Sequence, residues 1–163
     1  QAYFTDPSQA ADFVAKTKCD ALAISVGTAH GAYKSKGTVS LDFPRLKAID
    51  AQVDVPLVLH GATGISQDLI DKTHQLCDQL ADCSRLEGAI GVPDEMIRKA
   101  IMCGVRKINI DSDLRIAFTA GLRESILRHH KEIDPRKLLA RSKELMKEVV
   151  RHKIELFGSK GRV

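Results

Sequence analysis

Pro56-Leu57-Val58-Leu59-His60-Gly61-Ala62-Thr63-Gly64 passes in one step from an unbroken apolar run to a glycine-rich turn. Alternation marks a strand with one wet face, so a short apolar run without it suits a parallel strand covered on both sides. The same grammar recurs in both directions. Upstream, Ala21-Leu22-Ala23-Ile24-Ser25-Val26 is apolar on both faces and closed by Gly27. Downstream, Val105-Arg106-Lys107-Ile108-Asn109-Ile110 follows the helix-stopping Gly104 and gives a third strand.

Helical patterns fill the spaces between these strands. Asp6, Pro7 and Gln9 read as an N-cap, a first-turn proline and a capping box, which predicts a helix over residues 7–18. Leu41, Phe43, Leu46, Ile49 and Val53 recur at helical spacing, and Leu69, Ile70, Thr73, Leu76 and Leu80 mark one face of a helix over 66–80. An irregular stretch over 82–91 precedes a short helix that begins at Pro93. A further helix is expected over 114–130. Asp134-Pro135 caps a last one, which carries Leu138, Leu145, Met146, Val149, Ile154 and Phe157 and stops at Gly158.

Strands alternating with helices give a parallel α/β sheet with right-handed crossovers, either doubly wound or closed as a barrel. Three strands cannot close a barrel that needs eight and typically ~250 residues. The expectation is therefore that half of the sheet lies outside this sequence. Gln1 is not an initiator Met, and Tyr3-Phe4-Thr5-Asp6-Pro7 opens as though in mid-domain, which reads as a fragment.

Composition narrows the class. A chain of 163 residues with 44% hydrophobic and 28% charged content is that of one ordinary soluble domain. The formal charge of +4 is modest and Lys and Arg are mixed with Asp and Glu, which argues little for nucleic acid as the main partner and leaves room for anionic small molecules. Cys19, Cys77, Cys83 and Cys103 form no C-x-x-C pair and are read as reduced cytosolic thiols. Nothing resembles a signal peptide, and no apolar run approaches the ~20 residues needed to cross a bilayer, so a cytoplasmic protein with no membrane partner is expected.

Each strand runs into a polar or glycine-rich turn: Gly27-Thr28-Ala29-His30-Gly31, His60-Gly61-Ala62-Thr63-Gly64 and Asn109-Ile110-Asp111-Ser112-Asp113. Ligands bind at the carboxyl ends of strands in parallel α/β folds, so the three turns point to one site. His30 and His60 each stand beside glycine, where an imidazole can face a cavity as a metal ligand. Gly61-Ala62-Thr63-Gly64 and Ile110-Asp111-Ser112 offer backbone N–H groups and hydroxyls ahead of helix N-termini, a means of gripping phosphate. Asn109, on a buried strand, needs a partner, because an unpaired amide costs ~1–3 kcal/mol.

Gly27-Thr28 with His30-Gly31-Ala32-Tyr33-Lys34 resembles the G-T-x-H-G-x-Y-K segment of class II fructose-bisphosphate aldolases. His60 to Gly64 and Asn109-Ile110-Asp111-Ser112-Asp113-Leu114-Arg115 resemble that family's next two signatures, and the likeness extends to Asp134-Pro135-Arg136-Lys137 and Glu155-Leu156-Phe157-Gly158-Ser159. The resemblance implies that residues 1–163 are the C-terminal part of a TIM (β/α)8 barrel, with the N-terminal half absent. It also implies zinc held by His30 and His60, with a monovalent cation near the glycines and Asn109 facing the enediolate. Gly31, Lys34, Gly61, Ala62, Thr63, Asp111 and Ser112, with the backbone at Ile110, would surround the phosphate of dihydroxyacetone phosphate, and Arg115 would meet the phosphate of the aldehyde portion. The third zinc histidine and the acid/base aspartate would lie in the barrel's first half.

The implied partner is a phosphorylated sugar, and the implied state a homo-oligomer of the full-length chain. Residues 65–91 are longer than in the shortest relatives, which suggests an added helix and loop, and Thr63 stands where Ser is more usual. Two alternatives stand beside the fructose 1,6-bisphosphate reading: a tagatose 1,6-bisphosphate aldolase, and a non-catalytic barrel subunit. The latter is disfavoured because both metal histidines and Asn109 are intact. His74, His129, His130 and His152 are expected on solvated helical faces.

Overall fold

The computed structural model describes residues 4–27, 40–61, 64–80, 83 and 91–162. Along the chain run α1 (Pro7–Thr17), β1 (Leu22–Ile24), α2 (Phe43–Asp50), β2 (Leu57–Leu59), α3 (Gln67–Cys77), α4 (Asp94–Met102), β3 (Val105–Ile108), α5 (Ser112–Arg128), α6 (Pro135–Leu138) and α7 (Ala140–Leu156). They divide into two compact units, one formed by residues 1–64 with 90–110 and the other by 65–89 with 111–163.

The first unit holds a parallel sheet in the order β1-β2-β3. Leu22, Ile24, Leu57, Leu59 and Val105 are buried, and Leu46 and Ile49 of α2 with Ile97 and Ala100 of α4 share the apolar interior. Asp6 and Asp42 cap α1 and α2, their side chains accepting from Gln9 N and Arg45 N at 3.0 Å each. Only the central strand, β2, is buried at every position. β1 alternates instead, with Ala23 exposed between Leu22 and Ile24, and β3 exposes Arg106 and Lys107 while Ile108 is half-buried. The uniformly covered strands expected from sequence are therefore realised at β2 alone among the described residues. Each outer strand there has a hydrogen-bonded neighbour on one side only.

The second unit is helical. α3 and α7 both pack on α5, and α7 lies so close that a methyl on Gly121 would overlap the backbone of Ser142. Three expectations are corrected here. α5 begins at Ser112, because Asp111 already supplies the first helical carbonyl, to Arg115 N at 3.1 Å. The single last helix is two, α6 and α7, with the break at Leu139, just before α7 seats Ser142 against α5. Finally, the buried stripe of α7 is Ser142, Leu145, Lys153 and Leu156, while Ile154 is 40% exposed. A lysine takes the position that an apolar count would give to its neighbour.

Cys77 and Cys83 form a disulfide, contrary to the reading of four reduced thiols. Cys77 ends α3, and the turn behind it brings the two Cα atoms to 5.3 Å, inside the range a disulfide spans. Cys19 and Cys103 are free thiols. No helix among the described residues is long and apolar enough to cross a membrane.

Candidate functional site

β2 and β3 end side by side, with Leu59 paired to Ile108, so the residue that follows each strand stands beside the other. These residues are His60 and Asn109. Asn109 N donates to Leu59 O at 3.0 Å, which extends the ladder by one rung past β3. Its side-chain amide Nδ2 lies 2.9 Å from His60 Nδ1 and 3.3 Å from Nε2. An amide nitrogen only donates, so the ring nitrogen must accept, which requires a neutral imidazole. Lys107 Nζ donates to Asn109 Oδ1, and this fixes which way the amide points: oxygen to the ammonium, nitrogen to the imidazole.

The period-two alternation of strands puts Lys107 and Asn109 on one face of β3 and Val58 and His60 on the same face of β2. The site therefore stands at the carboxyl edge of the face that carries Val58 and Lys107, opposite the face of the buried Leu57 and Leu59. Gly61, directly after His60, has φ +65°, a left-handed conformation that glycine adopts without strain and that turns the chain away at the strand's end. A cavity lined by Val14, Lys18, Cys19, Val53 and Val55 lies at the amino ends of the strands, away from His60.

His60 suits a borderline-soft divalent ion as a neutral, half-exposed imidazole; its one lone-pair nitrogen is the one that accepts from Asn109, so an ion bound there would take the place of that hydrogen bond and free the amide. Among the described residues no three His, Cys, Asp or Glu side chains gather as a metal-binding set. His30, Gly31, Lys34, Ala62 and Thr63 lie outside the described residues.

In the second unit, Asp111 is exposed and Ser112 opens α5. The first-turn amides of that 17-residue helix have no intrahelical partner and carry the positive end of its dipole. Arg115 Nε pairs with Asp111 Oδ1 at 2.8 Å, but both side chains are largely exposed, so little binds Arg115 to this geometry. Ile110 is half-buried at the end of the first unit.

Asp113 was not singled out by sequence, and its side chain is buried, 1% exposed, with Oδ2 at 3.2 Å from Lys153 Nζ. Nor was Glu124, which is buried on α5 among Lys72 (2.5 Å), Arg141 (3.0 Å) and Arg128 (3.1 Å). Burial pushes its carboxyl up, but hydrogen bonds from Lys72 and Arg141 outweigh that and hold it below the usual glutamate range. Helical spacing could have shown that Asp113 shares the buried stripe of Ile116, Ala117 and Ala120, though not what would neutralise it. His129, His130 and His152 are exposed as expected, whereas His74 is half-buried and its Nε2 has no hydrogen-bond partner among the described residues.

A family model described as class II fructose-bisphosphate aldolase matches residues 1–162. A fructose-bisphosphate aldolase of Thermus caldophilus is 45% identical over 99% of this chain and 51% of its own length. One of Giardia intestinalis is 39% identical over 96% of this chain and 47% of its own. The chain thus spans about half the length of the curated relatives it matches. The crystal structure of the YdjI aldolase from Escherichia coli K12 superposes with a TM-score of 0.65 at 30% identity, covering 97% of this chain and 46% of that one.

Proposed function

Because the chain belongs to the class II fructose-bisphosphate aldolase family, we propose that the whole protein interconverts fructose 1,6-bisphosphate with dihydroxyacetone phosphate and glyceraldehyde 3-phosphate, as a zinc enzyme of glycolysis and gluconeogenesis. The observation that carries this reading is the contact of His60 with Asn109 at adjacent strand ends. An imidazole able to ligate a metal and an amide able to donate to a developing oxyanion stand within one hydrogen bond of each other.

His30 and His60 would hold the ion, and the remaining histidine and the acid/base aspartate would belong to the part of the relatives' length that this sequence does not span. Zinc bound there would supply a Lewis acid that draws charge from the substrate ketone. Asn109 donates its amide N–H towards the enediolate oxygen, where charge develops as the carbon–carbon bond breaks, and Lys107 keeps the amide from rotating away. By the family likeness, Gly31, Lys34, Gly61, Ala62 and Thr63, and also Asp111, Ser112 and the Ile110 backbone, would contact substrate phosphate. Arg115 would meet the other phosphate, and the glycines would be near a monovalent cation. The sheet is part of a (β/α)8 barrel in a cytoplasmic homo-oligomer, whose further strands would face Ala23, Val58 and Lys107.

The test is a coupled triose-phosphate assay on the whole protein. Chelation is expected to abolish cleavage of fructose 1,6-bisphosphate, zinc to restore it, and tagatose 1,6-bisphosphate to turn over more slowly. Cleavage that survives chelation and is trapped by borohydride would point to a lysine Schiff base and overturn the zinc reading.

A further inference from the structure

Cys77 is the last residue of α3 and is 5% exposed, and the chain turns directly behind it, where Leu80 N donates to Cys77 O at 3.0 Å. That turn brings the half-exposed Cys83 into its disulfide with Cys77. The two sulfurs therefore differ in access, and they differ in charge environment as well. Arg123 of α5, the helix on which α3 packs, donates from Nη1 to Cys77 Sγ at 3.6 Å. Thiol–disulfide exchange is fastest when the attacked sulfur is open to the nucleophile and the expelled one is stabilised as a thiolate. Burial and the negative end of the α3 dipole both disfavour a charged sulfur at Cys77, and the adjacent guanidinium offsets them.

We propose that Cys77 and Cys83 form a reversible dithiol/disulfide site that exchanges with small disulfides of the glutathione type, with Cys83 meeting the reagent and Cys77 closing the bridge or leaving it beside Arg123. In the oxidising direction the Cys83 thiolate attacks one sulfur of glutathione disulfide, which forms a mixed disulfide and expels one glutathione thiolate. The Cys77 sulfur then attacks Cys83 Sγ, closes the protein bridge and expels the second glutathione thiolate. Two protein thiols give up two electrons and two protons, and two glutathione thiols receive them. Reduction follows the same path backwards: a thiolate attacks Cys83 Sγ, and Cys77 leaves as a thiolate next to the guanidinium. The site uses none of the residues placed at the metal or the phosphates, so it stands apart from the aldolase reading.

The test takes the whole protein, reduced with dithiothreitol and desalted under nitrogen, through mixtures of reduced and oxidised glutathione at neutral pH, with an alkylating quench and peptide mass mapping. Cys77 and Cys83 are expected to pass together from two alkylated thiols to one bridge as the oxidised share rises, and back again with dithiothreitol, while Cys103, 4% exposed, stays a thiol throughout. In Cys77→Ser, Cys83 is expected to hold glutathione as a lasting mixed disulfide. In Cys83→Ser, Cys77 is expected to take glutathione up about tenfold more slowly or worse, since the reagent must reach a buried sulfur. Arg123→Met is expected to slow reduction of the bridge by glutathione about tenfold, because the departing Cys77 sulfur loses its cation. A merely structural arginine would give the opposite sign, since a loosened turn exposes the bridge and speeds its reduction. Thiols that stay reduced in excess oxidised glutathione, or a bridge that dithiothreitol leaves intact in the folded protein, would overturn the proposal. Equal uptake by the two serine variants, or an Arg123→Met bridge reduced as fast as the unmodified one, would overturn it too. Should Arg123→Met not fold, the comparison of the serine variants decides by itself.

Discussion

Lys107 shows how a residue can matter without carrying any motif. It is an exposed strand residue by composition, yet it bonds Asn109 Oδ1 and so decides which end of that amide faces His60. Lys107→Met is expected to retain bound zinc while kcat for fructose 1,6-bisphosphate falls by roughly tenfold, since an amide free to rotate meets the oxyanion less often. Equal loss of zinc and kcat would show that Lys107 supports the fold rather than the amide. His60 and Asn109 were legible from sequence because a polar residue directly after an apolar strand has few other uses. Lys107, Asp113, Glu124 and Lys153 were not, because their roles depend on partners two to about fifty residues away that only packing brings close. Glu124 gives a pH-dependent example. Its carboxyl titrates below the unfolded value, so its contribution to stability is present above the ordinary glutamate range and is lost as pH falls through the lower folded value. Glu124→Gln should therefore lower Tm at neutral pH and flatten its decline in acid, measured by thermal melts between pH 3 and pH 7.

At the scale of elements, strands and caps were the most legible features. An apolar run stopped by glycine, or an Asp before Pro, has a local physical cause that no neighbour needs to complete. α1 and α6 begin where Asp6 and Asp134 say they should. The start of α5 and the break before α7 were misread, since both depend on how closely those helices approach. Gly121 tests that approach. Alanine in an exposed helix interior usually stabilises by ~1 kcal/mol relative to glycine. Here the added methyl would overlap Ser142, so Gly121→Ala is expected to destabilise by about 1–3 kcal/mol, read from denaturant unfolding. A stabilised variant would mean that α5 and α7 stand further apart. The Cys77–Cys83 bridge had no sequence signal, because its spacing matches no metal or redox motif and only the turn after α3 brings the thiols together.

For the whole molecule, Ala23 and Lys107 are exposed on one face of the sheet and both outer strands offer an unpaired edge among the described residues. Such edges and faces recruit partners. The 163-residue chain by itself is expected to associate in light scattering and to show no aldolase turnover with zinc added, because the acid/base and one metal ligand lie elsewhere in the proposed enzyme. A monodisperse monomer with a sharp melt would contradict the half-barrel reading. The central claim is that two neighbouring strand ends divide the labour, His60 holding the metal and Asn109 serving the reaction. The most direct measurement takes zinc content and kcat together in His60→Ala and Asn109→Ala of the whole protein. His60→Ala is expected to lose most of its zinc and its activity together, and Asn109→Ala to keep its zinc while kcat falls about a hundredfold or more. Full zinc in His60→Ala, or an undiminished kcat in Asn109→Ala, would contradict it.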